Sequence, residues 1–166
     1  MLFRSKLAEK SKREWDLSGR KLKVLPSELL ERGAEVKRVD LQRNRLKQVS
    51  GLSSLLSLKE LNLSRNELLD FPREVGSLSL LERLYLNQNH IREVPEGLFP
   101  RLEKLQFLKL STNRLTQLPA DLACCQRLTY LNLSHNSLTN LQPLVGLCGL
   151  TEIGRASCRE RVSSPV

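Results

Sequence analysis

The strongest constraint on this chain is that it repeats itself. Sliding the sequence along itself by 22 to 24 residues superimposes five segments: VKRVDLQRNRL from Val36, LKELNLSRNEL from Leu58, LERLYLNQNHI from Leu81, LQFLKLSTNRL from Leu105 and LTYLNLSHNSL from Leu128. A degenerate first copy, KREWDLSGRKL from Lys12, keeps Leu17 and Leu22 in phase but has Trp15 and Arg20 where the others carry an aliphatic residue and Asn. End repeats are atypical in this way, because they have a neighbour on one side only. A unit this short cannot bury its apolar face alone, so the copies must stack. Composition agrees: 38 of 166 residues are leucine and only 4% are aromatic, which points to a repetitive core.

Within each copy, Val39-Asp40-Leu41, Leu61-Asn62-Leu63, Leu84-Tyr85-Leu86, Leu108-Lys109-Leu110 and Leu131-Asn132-Leu133 alternate apolar with outward residues, the period-two signature of a strand with one buried face. The Asn column (Asn44, Asn66, Asn89, Asn113, Asn136) falls where the chain leaves the strand and turns inward, burying backbone groups that a short amide can satisfy. These asparagines are read as structural. Beyond them apolar residues recur every third position, as in Leu46, Val49, Leu52, Leu55, Leu58 or Leu138, Leu141, Leu144, Leu147, Leu150, and predict short helical or 3₁₀ turns on the outer side. Pro26, Pro72, Pro95 and Pro119 stand where strand pairing has ended and a missing N–H costs little. SELLERGAE at 27–35 has a capping-type Ser27 and a Gly33 stop, and predicts a true helix.

The shared pattern LxxLxLxxNxL resembles the leucine-rich repeat family over about residues 12–150. The resemblance implies a right-handed α/β solenoid of about six repeats, with a curved parallel sheet inside and short helical or 3₁₀ turns outside. Strand positions that alternate with the buried leucines would then line one concave face, where repeat solenoids usually bind. Tyr85, Phe107 and Tyr130, three of the seven aromatics, fall on such outward positions in consecutive repeats. Aromatic anchors at an interface centre can each contribute ~2 kcal/mol or more. The competing reading is aromatic packing between neighbouring strands, which Phe107 and Tyr130 could do from one column. Arg38, Arg43, Arg65 and Arg83 make the amino-terminal half of the face basic, with Asp40 and Glu60 placed to pair with some of them, and Lys109 joins the face further along.

Other chemistries find little support. The net charge of +9 splits as +4 over residues 1–32, +4 over 33–151 and +1 over 152–166, so it is diffuse, and no aromatic interleaves the arginines; nucleic acid is therefore disfavoured as a partner. His90 and His135 have no evident catalytic partner and the glycines are scattered, so no enzyme and no cofactor are expected. Cys124, Cys125, Cys148 and Cys158 lack a CxxC or a histidine cluster, which argues against a metal site and for reduced thiols. No apolar run approaches the roughly 18 residues of a membrane span, and the opening MLFRSKLAEKSKREW is too charged for a signal peptide.

The two ends differ from the repeats. Residues 1–14 set Leu2, Phe3 and Leu7 against Arg4, Lys6, Lys10, Lys12 and Arg13, and read as a basic helical cap over the first repeat rather than a membrane-surface helix. The repeat domain is expected over 15–151. Leu150 and Ile153 announce a further copy, yet Arg155 takes the next inward position and no leucine follows Leu150. The string EIGRASCRERV resembles a sequencing adapter translated in frame, so residues 152–166 are read as a tail foreign to the native protein.

Without the cysteine-rich caps of secreted relatives, the chain resembles intracellular members, implying a cytoplasmic or nuclear location. Such members are non-catalytic scaffolds that dock protein partners, small GTPases and phosphatases among them. The 22-residue spacings with apolar residues every third position look like the phosphatase-regulating subclass and the copies with Leu-Pro look like the Ras-pathway scaffold subclass. A monomeric protein-interaction module is the reading; the alternative is the recognition arm of a larger kinase, GTPase or ubiquitin ligase.

Overall fold

The computed structural model describes residues 13–154. The cap expected over residues 1–14 therefore falls, up to residue 12, outside the described residues, as do Cys158 and the tail from Arg155. Seven three-residue strands form one sheet: β1 (Glu14–Asp16), β2 (Arg38–Asp40), β3 (Glu60–Asn62), β4 (Arg83–Tyr85), β5 (Phe107–Lys109), β6 (Tyr130–Asn132) and β7 (Glu152–Gly154). They lie in chain order, every neighbouring pair parallel. Register follows the repeat without slippage, so Trp15, Val39, Leu61, Leu84, Leu108, Leu131 and Ile153 form one row across the sheet. This is the curved parallel leucine-rich repeat solenoid implied by the sequence.

The core is a column of repeated leucines. Val39, Leu61, Leu84, Leu108 and Leu131 are wholly buried, as are Leu41, Leu63, Leu86 and Leu133, each just past its strand. On the outer side 3₁₀ turns recur at Leu52–Ser54, Arg73–Ser77, Phe99–Arg101, Ala120–Cys124 and Gln142–Leu144. Their every-third-residue spacing points one side chain inward per turn: Leu46, Val49, Leu52, Leu55 and Leu58 are all buried. Pro26, Pro72 and Pro119 each stand immediately before a helical turn.

One local expectation is corrected. The segment at 27–35 is a five-residue helix, α1 (Ser27–Glu31), followed by a separate 3₁₀ turn at Gly33–Glu35. Ser27 is the first helical residue and does not cap; Pro26 holds that position with no side-chain hydrogen bond. Gly33 is buried where a Cβ would come within 2.7 Å of the Ser54 carbonyl oxygen, so it serves close packing of neighbouring repeats rather than a left-handed stop.

Candidate functional site

The turn that ends each strand fixes the edge of the concave face. Asn89 Nδ2 donates to the Leu63 and Leu86 carbonyls at 3.0 and 3.1 Å, and its Oδ1 accepts from Leu68 N–H at 3.1 Å. Asn44, Asn66, Asn113 and Asn136 make the same contacts one repeat apart. The ladder is continuous, since Leu41, Leu63, Leu86 and Leu110 each receive two asparagines on one carbonyl. In the first repeat Arg20 and Leu22 supply backbone N–H groups to Asn44 Oδ1, so the asparagine of the second repeat closes the turn of the first.

The residue preceding each asparagine is left-handed: Arg43, Arg65, Gln88, Thr112 and His135 have φ of 55 to 57°, and Gly19 occupies the equivalent place in the first repeat at 66°. Sequence reasoning missed this column, because five of its six members are not glycine. A non-glycine residue there costs of order 1 kcal/mol, which the inward turn and its asparagine bonds outweigh. Arg43 and Arg65 therefore project from the strand-exit edge, where Arg65 Nε donates to Gln88.

Inside that edge the first residues of β1 to β4 form a ladder of alternating charge. Arg38 meets Glu14 at 3.5 Å and Glu60 at 3.0 Å, and Glu60 reaches Arg83 at 4.0 Å. These side chains border a shallow depression with Lys37, Lys59 and Glu82, and Lys59 pairs with Glu82 at 2.7 Å. The amino-terminal half of the concave face is thus neutralised from within. Glu60 supplies that pairing as expected from its column, whereas Asp40 accepts hydrogen bonds from the Gln42 backbone and side chain instead.

The same column continues as rings. Phe107 and Tyr130 stack with centroids 4.1 Å apart and planes 2° from parallel, and Tyr85, on β4, tilts onto Phe107 at 4.8 Å. All three are half-buried. Asn132 donates to the Tyr130 hydroxyl at 3.3 Å, and Lys109 lies between Tyr85 and Asn132 in the strand register. Burial, then the Glu60 carboxylate, holds the Tyr85 hydroxyl above its ordinary value, with Arg83 partly opposing. Of the eight binding residues read from sequence, Tyr85, Phe107, Tyr130, Arg83 and Lys109 gather around one pad, Arg38 is held in ion pairs, and Arg43 and Arg65 stand at the edge.

Elsewhere, Cys125 is buried and its thiol is pushed up to about 12, first by burial and then by Cys124 and Asp121, while Cys124 and Cys148 are exposed and all three are free. His90 and His135 are both exposed. Among the described residues no group of three or more His, Cys, Asp or Glu side chains could hold a metal ion, and no helix is long and apolar enough to cross a membrane.

Stacked strands, an asparagine ladder and one open sheet face define a repeat solenoid of the kind typically used as a protein–protein interaction module. Family models described as leucine-rich repeat match residues 79–138 and, as single repeats, 57–78 and 127–150; the chain belongs to that family. It is 32% identical over 127 residues to the human "Volume-regulated anion channel subunit LRRC8E", covering 75% of this chain but 16% of the subunit. Among solved structures it resembles the Leptospira interrogans LRR protein LIC12759 with a TM-score of 0.78 and 27% identity, over 86% of this chain and 42% of that one. It also resembles the LRR ectodomain of the Arabidopsis thaliana membrane receptor kinase GASSHO1/SCHENGEN3, in complex with CASPARIAN STRIP INTEGRITY FACTOR 2, with a TM-score of 0.67 and 26% identity over 84% of this chain and 16% of that one.

Proposed function

We propose that the chain is a non-catalytic module that holds a protein partner on its concave face, centred on Tyr85, Phe107 and Tyr130. The observation that carries this reading is the continuous ring pad, 4.8 and 4.1 Å between centroids, on a face that is otherwise polar. Packing between neighbouring strands accounts for the ring contacts themselves, but Tyr85 extends the pad into another column, and the half-buried rings offer apolar area with Arg83 and Lys109 at the rim. A signalling partner such as a small GTPase or phosphatase suits such a scaffold. The three free thiols support a reducing compartment, the cytoplasm or nucleus.

A second reading, the recognition arm of a larger enzyme, draws on one fact: the chain matches an ectodomain of a receptor kinase and spans 16% of it. The test is affinity capture with the wild type followed by the Tyr85→Ala, Phe107→Ala, Tyr130→Ala triple variant. Loss of the captured partner with an unchanged circular dichroism spectrum is expected. Capture that survives the triple variant would refute the concave pad.

A further inference from the structure

The chain neutralises its charges on the concave face but not along the strand-exit edge of its first two repeats. Residues 17–25 and 41–49 carry six cations, Arg20, Lys21, Lys23, Arg43, Arg45 and Lys47, and no acid. The corresponding segments of the next four repeats, 63–71, 86–94, 110–118 and 133–141, together hold three cations and three acids. All six cations are exposed, and none takes part in an ion pair among the described residues. The hydrogen bond from Arg45 N–H to the Leu22 carbonyl, 2.8 Å, shows that the two segments run side by side. Neighbouring strands stand about 5 Å apart, well inside the ~8 Å screening length of physiological salt, so these charges repel. Asp16 and Asp40, the nearest outward carboxylates on β1 and β2, are engaged by Ser18 and Gln42.

From this we infer a second interaction surface, separate from the aromatic pad: the exit edge of the first two repeats binds an acidic segment of a protein partner. Two arginines and three lysines in adjacent rows, with Arg20 beside them, match a short run of carboxylates, since guanidinium forks and ammonium groups are the natural partners of carboxylate oxygens. Apolar side chains flank the cluster: Val24 is 69% exposed next to Lys23, and Leu69 is 48% exposed in the row that holds Lys47 one repeat earlier and Lys23 two repeats earlier. A peptide with an aliphatic residue beside its acids would cover them. Nucleic acid fits less well, because neither segment has an aromatic on which a base could stack and the cations span only two strands.

The surface is tested with a labelled probe peptide of about twelve residues, rich in Asp and Glu with two leucines, titrated at about 0.15 M salt. Reversal by Lys21→Glu, Arg45→Glu and Lys47→Glu should weaken binding at least about tenfold. The charge-matched control Arg73→Glu, Arg101→Glu and Arg127→Glu, away from the edge, should stay within about twofold, and the aromatic triple variant should bind like the wild type. Leu69→Ser should weaken binding about threefold. Independently of any ligand, raising salt should raise the thermal midpoint of the wild type by a few degrees more than that of the edge reversal, whose repulsion is gone. Equal losses in both charge-reversed variants would overturn the inference, as would a midpoint response to salt that the edge reversal leaves unchanged. So would duplex DNA or phosphatidylserine vesicles that displace the peptide from both the wild type and the charge-matched control, whose edge is intact.

Discussion

Replacing Asn89 by Ala tests whether the asparagine ladder holds the solenoid together. Asn89 is 4% exposed and its amide serves three backbone groups in three places. The Leu63 and Leu86 carbonyls each keep a second asparagine, Asn66 and Asn113, so each loses only about 0.5–1 kcal/mol. The Leu68 N–H loses the acceptor it has in the ladder, at about 1–3 kcal/mol. The sum is about 3 kcal/mol, a large share of the ~5–15 kcal/mol available to a domain. Asn136→Ala, at a half-buried site that water can reach, should cost about 1 kcal/mol. Urea unfolding followed by circular dichroism measures both. Asn89→Asp adds a signature: it retains the acceptor for Leu68 but sets a buried carboxylate against two carbonyls, so its destabilisation should ease as pH falls and the carboxyl regains a proton. An Asn89→Ala variant no less stable than Asn136→Ala would refute the argument that the cost is set by the buried Leu68 N–H left without its acceptor.

Two further outcomes rest on single contacts. Gly33→Ala, whose Cβ would sit 2.7 Å from the Ser54 carbonyl oxygen, should lower stability by about 1–3 kcal/mol in the same unfolding assay. The buried Cys125 thiol stays neutral in the fold up to about 12, against 9.0 for an ordinary thiol, so below pH 9 its contribution is complete. As pH rises from there, the unfolded chain ionises first and that stability is lost through the window ending near the folded value. Alkaline unfolding curves should show the slope and Cys125→Ala should flatten it, while alkylation near pH 8 mapped by mass spectrometry should mark Cys124 and Cys148 well before Cys125.

How much of this was legible in advance depended on whether a property repeats. The leucine phase, the outward columns and the asparagine column could be read directly, because each recurs with the period and a parallel sheet in register converts period into neighbourhood. The ion pair of Glu60 with Arg38 and Arg83 was legible for the same reason, as members of one column. Glu14 was not, since the degenerate first repeat hides that β1 already begins there. The left-handed column was invisible because Arg43, Arg65, Gln88, Thr112 and His135 share a backbone conformation and no residue type.

The solenoid follows from the repeat alone, since units of 22 to 24 residues with one apolar stripe have no way to bury it except against their own copies. Which side chains face outward follows from the repeat too, because alternation along a strand is local. How those side chains meet depends instead on packing between repeats. Tyr85 stands one strand and one column from Phe107, and its tilt across that diagonal is set by rotamers and neighbours rather than by phase. The split of the arginines into a paired ladder and an unpaired edge was decided in the same way, because charge lies in the sequence but partnership depends on distances between strands.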